Sequence, residues 1–140
     1  MPIVASDETA IDEVRSSMNV QGIMPKHDYR SDLAVGLIQN AALCVTMKHH
    51  PIIFAMAATV PTISMAFDDY YHHKNYGAMK IFHQEDYLIK CAPQELAQQL
   101  YDKTRDACDN RVEIAESIAK VIEELRPMSG EVIKKYLAEQ

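Results

Sequence analysis

The sequence predicts an α/β fold, a parallel sheet with helices on both faces. Two observations carry this. The runs 43–47 and 62–67 are apolar and uncharged, as strands covered on both faces are. Segments with apolar residues at helical spacing alternate with such runs as far as residue 90, which is how strand–helix–strand units read. Five strands are expected, at 2–5, 19–24, 43–47, 62–67 and 87–90, in a Rossmann-like, flavodoxin-like order of 2-1-3-4-5.

The elements follow in order. The run 2–5 is short and apolar, a first strand. Ser6 or Asp7 caps a helix to about Ser17, with Ala10, Ile11 and Val14 as its buried stripe. Residues 19–24 are a weak strand, interrupted by Gly22 and closed by Pro25. Ser31 caps a second helix, in which Leu33, Ala34, Leu37 and Ile38 recur at helical spacing, and Asn40 ends it. After strand 43–47, Pro51 suits the first helical position and leaves His50 as N-cap. Residues 52–58 are apolar nearly all round, so this helix is buried. Pro61 leads into strand 62–67. Residues 68–77 read as a polar, aromatic loop, and 78–82 as a short helix. Beyond strand 87–90, Pro93 opens a helix with Leu96, Leu100, Thr104 and Cys108 on one side. A helix over 111–126 buries Ile114, Ile118, Val121, Ile122 and Leu125. Pro127 and Gly130 break it, and a last turn or two carries Val132, Ile133, Tyr136 and Leu137.

The 140 residues, 48% of them hydrophobic, support one conventional domain over 1–140, with 91–140 as its helical extension. The net charge is −6 and no basic stripe is present, so nucleic acid is not an expected partner. Cys44, Cys91 and Cys108 are odd in number and lack CxxC pairing, which fits a reducing compartment, with Cys44 a small core residue. Met47, Met56, Met65 and Met79 read as core filler. The start of the chain carries no signal pattern, and no apolar run approaches the ~18 residues that span a bilayer. A cytoplasmic protein without a transmembrane segment is expected. The glycines are scattered, with no phosphate loop, dinucleotide fingerprint or GxSxG, so no cofactor is expected.

The chemistry gathers at Lys48-His49-His50, where a strand hands over to a helix. In open α/β sheets that edge binds ligands. A helix start offers unpaired amides and a partial positive charge, Lys48 adds an ammonium, and His50 can donate or accept a proton. The bland alternative is a histidine that only caps its helix. Residues 68–77 lie on the same edge: Lys74 would help neutralise an anion, and Tyr70, Tyr71 and Tyr76 would stack on a sugar or base. The bland alternative there is a solvated loop. His49, His50, His72, His73, Asp68 and Asp69 have no metal-ligand spacing, and adjacent histidines point apart, so no metal site is expected.

The run from Asn40 through Asp68 resembles the C-terminal half of polysaccharide pyruvyl transferases. The likeness covers about residues 1 to 90 and is specific mainly between 40 and 77. The resemblance implies a Rossmann-like lobe of a two-lobed, GT-B-type transferase that moves a pyruvyl unit from phosphoenolpyruvate onto saccharide hydroxyls as a ketal. Its Arg-Leu-His motif falls on Lys48, His49 and His50, and its Tyr-Asp element on Phe67 and Asp68, with Lys74 as the following lysine after a longer loop. On this reading His50 is catalytic, and Lys48, His49, Asp68, Tyr71 and Lys74 bind substrate. Lysine lacks the bidentate fork of arginine, and His49 is polar where the family packs leucine. The family's N-terminal lobe is not among these residues and would come from a partner, or the chain would pair with a second copy. Two other readings compete. One is a nucleotide-sugar or phosphosugar binding module, or glycosyltransferase-like lobe, without activity of its own. The other is an interaction protein whose apolar helices dock a partner lobe.

Overall fold

A computed structural model of the protein describes residues 7–23 and 30–138. The chain divides into two compact units, up to Leu37 and from Ile38 onward. The expected strand at 2–5 lies outside the described residues.

In the first unit, α1 spans Asp7–Ser16. Its expected stripe is not buried: Val14 is 63% exposed, Ala10 is exposed and only Ile11 is half-buried. Residues 19–23 form no strand. Arg15 Nε donates to the Gly22 carbonyl at 3.1 Å, so a side chain takes the acceptor that a ladder would need. Arg15 Cγ and Met18 Sδ lie 3.2 and 3.3 Å from where a Cβ on Gly22 would stand, so a larger residue there would make these side chains give by a few tenths of an ångström. Helix α2, Ser31–Gln39, ends where Asn40 predicts, but it begins one residue early, with the Arg30 carbonyl accepting from the Ala34 amide at 3.1 Å; Leu33 and Leu37 are exposed and Ile38 is its buried residue.

Among the described residues the sheet has three strands rather than the five expected, and they do not follow the order 2-1-3-4-5. Strands β1 (Cys44–Thr46), β2 (Thr62–Ala66) and β3 (Leu88–Lys90) are parallel, in the order β1-β2-β3. Cys44 faces Thr62 in register, and Ser64 faces Leu88. Helix α3 (His49–Ala57) joins β1 to β2, and α4 (Asp69–Ile81) joins β2 to β3. Right-handed crossovers put both helices on one face, where they pack side by side. Helices α5 (Leu96–Asp109) and α6 (Arg111–Ala138) pack together, and α5 lies on β2 and β3.

Strand β2 explains the layering. Its residues alternate small and large, Thr62-Ile63-Ser64-Met65-Ala66, so Thr62, Ser64 and Ala66 share a face. Ser64 meets α4. Small side chains there let α3 and α4 approach closely, while Ile63 turns to the other face. The main core joins Ile52, Met56, Ile63, Met79, Ile89, Ala107, Ile114 and Ile118, and a smaller cluster joins Ile38, Cys44, Ala55 and Val60. Met56 and Met79 are fully buried as expected, but Met47 is 44% exposed. On α5 the buried residue is Ala107; Cys108 is exposed.

Three further expectations are corrected. Residues 68–77 are not a loop: α4 runs through them and absorbs the short helix expected at 78–82. Asp68 starts that helix by accepting from the Tyr71 amide, and Asn75, Ala78 and Met79 form its buried face at i, i+3, i+4. Pro127 does not end α6, which continues to Ala138. Proline deprives the Glu123 carbonyl of a donor, but both residues are exposed and water can replace the bond. The side chains of Val132, Ile133, Tyr136 and Leu137 lie outside the described residues. Pro51 is the third residue of α3, not the first, as the site geometry shows below.

Helices α3 and α4 end alike. Val60 N–H reaches back to the Ala55 carbonyl at 2.8 Å and Thr59 N–H to Met56 at 3.0 Å. Gln84 and His83 repeat the two bonds to Met79 and Lys80 at 2.9 and 3.1 Å. This closure needs a left-handed residue after the helix, which glycine usually supplies. Here Thr59 (φ 58°) and His83 (φ 55°) supply it. For β-branched Thr59 that conformation is strained. Thr59→Gly should therefore stabilise the protein by about 1 kcal/mol. A urea midpoint that is unchanged or lower would show that the strain is not there.

Candidate functional site

The carboxyl ends of β1 and β2 each run into a helix within two residues: Met47-Lys48 lead into α3 and Phe67-Asp68 into α4. Two helix starts thus lie above adjacent strands, and their electrostatics differ.

The start of α4 is sealed. Asp68 Oδ1 accepts from the Tyr71 amide at 2.7 Å. Asp69 pairs with Lys90 Nζ at 2.8 Å, and that hydrogen bond and charge hold its carboxyl below the usual range. Both partners are well exposed, so the pair adds little stability. His73 Nδ1 donates to the Asp69 carbonyl at 2.6 Å.

The start of α3 is open. Lys48, not His50, is its N-cap residue, and it offers no side-chain cap. The first turn holds no acidic residue. Lys48 N–H is taken by Thr46 Oγ1 at 3.0 Å, and Pro51 at the third position has no N–H. The amides of His49 and His50 are the donors left at this end. A Thr two residues before the cap has thus displaced the helix start by two residues from where Pro51 alone would put it.

Between the two helix starts lies a cavity of about 200 Å³, lined by Met47, Lys48, Met65, Phe67, Asp68 and Tyr71. It has an apolar floor, one ammonium, one carboxylate and one phenol. Three of the six expected site residues, Lys48, Asp68 and Tyr71, meet here. His50 is outside it, exposed, its ring 6.0 Å from that of His49 and 6.3 Å from that of Phe54. Lys74 stands one turn into α4, its Nζ 5.9 Å from the Tyr70 ring centroid, beside a second shallow depression shared with Asp69, Tyr70 and His73. Tyr76 stacks on His72 at 6.2 Å, so its face is partly taken.

His49 is the half-buried member of the cluster. Burial lowers the pKa of its imidazole, the Lys74 ammonium lowers it further, and Asn75 opposes them. Asn75 is a residue beside this cluster that sequence reasoning passed over. It is fully buried and donates through Nδ2 to the Met47 carbonyl at 3.2 Å and to Ser64 Oγ at 3.1 Å. The signal was its spacing to Ala78 and Met79, visible only once the segment is read as a helix.

No family model, curated protein or solved structure matches this chain. Among the described residues, no three His, Cys, Asp or Glu side chains gather to hold a metal ion, and no helix is long and apolar enough to cross a membrane.

The cysteines stand away from this cluster's chemistry. Burial pushes the Cys44 thiol up to about 11, and burial also raises Cys91. The thiolate is the reactive form. Iodoacetamide at pH 8 should therefore label exposed Cys108 first and Cys44 last; mass spectrometry showing Cys44 modified in the folded chain would contradict its burial. At the α4 start, Asp68→Ala should cost about 1 kcal/mol and Asp68→Asn much less. Equal losses in chemical denaturation would show that capping is not what Asp68 does.

Proposed function

We propose that this chain is a transferase of the polysaccharide pyruvyl transferase type, and that phosphoenolpyruvate settles at the open start of α3. The observation that supports this is the contrast between the helix starts. Asp68 and the Asp69–Lys90 pair already satisfy α4, whereas α3 presents two amides, no acid and Lys48. An anion placed there gains the amides, the helix dipole and an ammonium together. Lys48 would grip the phosphate as a point charge, and His50 would stabilise charge on the transferred group. The apolar floor and Tyr71 would take the carbon skeleton or the saccharide face.

The reaction implied is balanced without a redox partner. Two saccharide hydroxyl oxygens bond to the central enol carbon, and its bond to the phosphate oxygen breaks. One hydroxyl proton ends on the methylene carbon, which becomes methyl, and the other leaves with the phosphate. Acid–base groups near an anion site are what such a transfer needs.

Calorimetry of the full chain tests the reading. Phosphoenolpyruvate should bind, and Lys48→Ala should weaken it about tenfold, the loss expected for one charge-assisted contact. Binding of nucleotide sugars with no response to phosphoenolpyruvate would instead favour a binding module on the same edge.

A further inference from the structure

We infer that Asn75 is a positioning residue that holds His49 in a single tautomer, with Nδ1–H donating to Asn75 Oδ1 and Nε2 carrying the lone pair. The argument begins with the amide. Asn75 is fully buried, and its Nδ2 is committed to the Met47 carbonyl and Ser64 Oγ. A carbonyl oxygen only accepts, so the amide cannot be flipped. Its Oδ1 must therefore face the opposite way, where it is buried without a hydrogen-bond partner of good geometry.

His49 Nδ1 is in the same condition, buried and unsatisfied. The two groups interact, and Asn75 favours the protonated ring. A buried polar atom left unpaired loses its hydration with nothing in return, and one bond from Nδ1–H to Oδ1 relieves both. The other tautomer would set the Nδ1 lone pair against the Oδ1 lone pairs. The charged groups that act on the ring are Lys74 from α4 and His50 from its own helix. With burial they keep it neutral at a pH where an ordinary histidine has begun to charge.

A neutral ring with a fixed Nε2 lone pair is a proton acceptor. Resting on the transfer proposed above, Nε2 would take the hydroxyl proton that leaves with the phosphate and return it to that phosphate. His49 and His50 would then divide the work, one moving the proton and the other facing the charge.

Long-range ¹H–¹⁵N spectra of the full chain test the inference without any turnover. Above its midpoint His49 should show a protonated Nδ1 and an unprotonated Nε2, and it should titrate below the usual ~6.5. Asn75→Asp should raise that midpoint by about one unit or more, and Asn75→Leu should shift the ring toward the Nε2–H form. An Nε2–H ring in the unsubstituted protein overturns the pairing, and that measurement needs no variant to fold. Saturating phosphoenolpyruvate should also raise the His49 midpoint, because an anion favours the imidazolium. Binding with no shift would remove His49 from the transfer step and leave the donor site standing, whereas absence of binding would remove the donor site and leave the pairing standing.

Discussion

The side chain of Asn75 joins three elements at one point. From the middle of α4 it donates to the Met47 carbonyl just past β1 and to the Ser64 hydroxyl inside β2. Each bond is worth only about 1 kcal/mol net, but removing the amide would strand buried acceptors at a larger cost. What the contact fixes is position. Met47 lies one residue before the cap of α3, so the carboxamide sets the height at which that helix begins and hence where Lys48 and His49 stand. The small face of β2 is the precondition, because a larger residue at Ser64 would hold α4 away from the sheet.

From that arrangement follows an asymmetry of charge. Two helices start side by side, and each start carries the same partial positive charge. One is neutralised from within the chain by Asp68 and Asp69. The other is left to its backbone and to a lysine, and Pro51 removes one of its donors without closing it. The polar residues of the edge are therefore not interchangeable: the carboxylates of Asp68 and Asp69 belong to the start of α4, whereas the start of α3 carries Lys48, His49 and His50 and no acid. His49 stands where the helices meet, which is why its surroundings come from α4 as much as from its own turn.

Much of this was legible in the residues. Uncharged runs of β-branched and small residues marked β1 and β2, a short apolar run ending at Lys90 marked β3, each in place within a residue or two, and the stripe of Ile114, Ile118 and Val121 marked α6. The count of strands was not legible. Whether residues 19–24 extend depends on where the Gly22 carbonyl finds its donor, and Arg15 supplies one from seven residues away. Helix α4 was hidden by composition, since its exposed face carries tyrosines, histidines and lysine, and its buried face holds a polar Asn75 where an apolar residue would have revealed the period. The cap of α3 was misplaced because Pro51 is compatible with more than one position in a first turn, and the bond from Lys48 to Thr46 decides between them. Of the residues the sequence singled out, Lys48, Asp68 and Tyr71 line one cavity, while His50 lies outside it and His49 holds the more enclosed position.

Sheet edges carry a liability of their own, because an unpaired strand rim can recruit the rim of another molecule. Among the described residues both rims are short: β1 and β3 have three residues each, and only the central strand reaches five. A rim of that length offers too few rungs to template growth. Partnership through faces, where helices meet helices, is left as the route by which this small scaffold would enlarge.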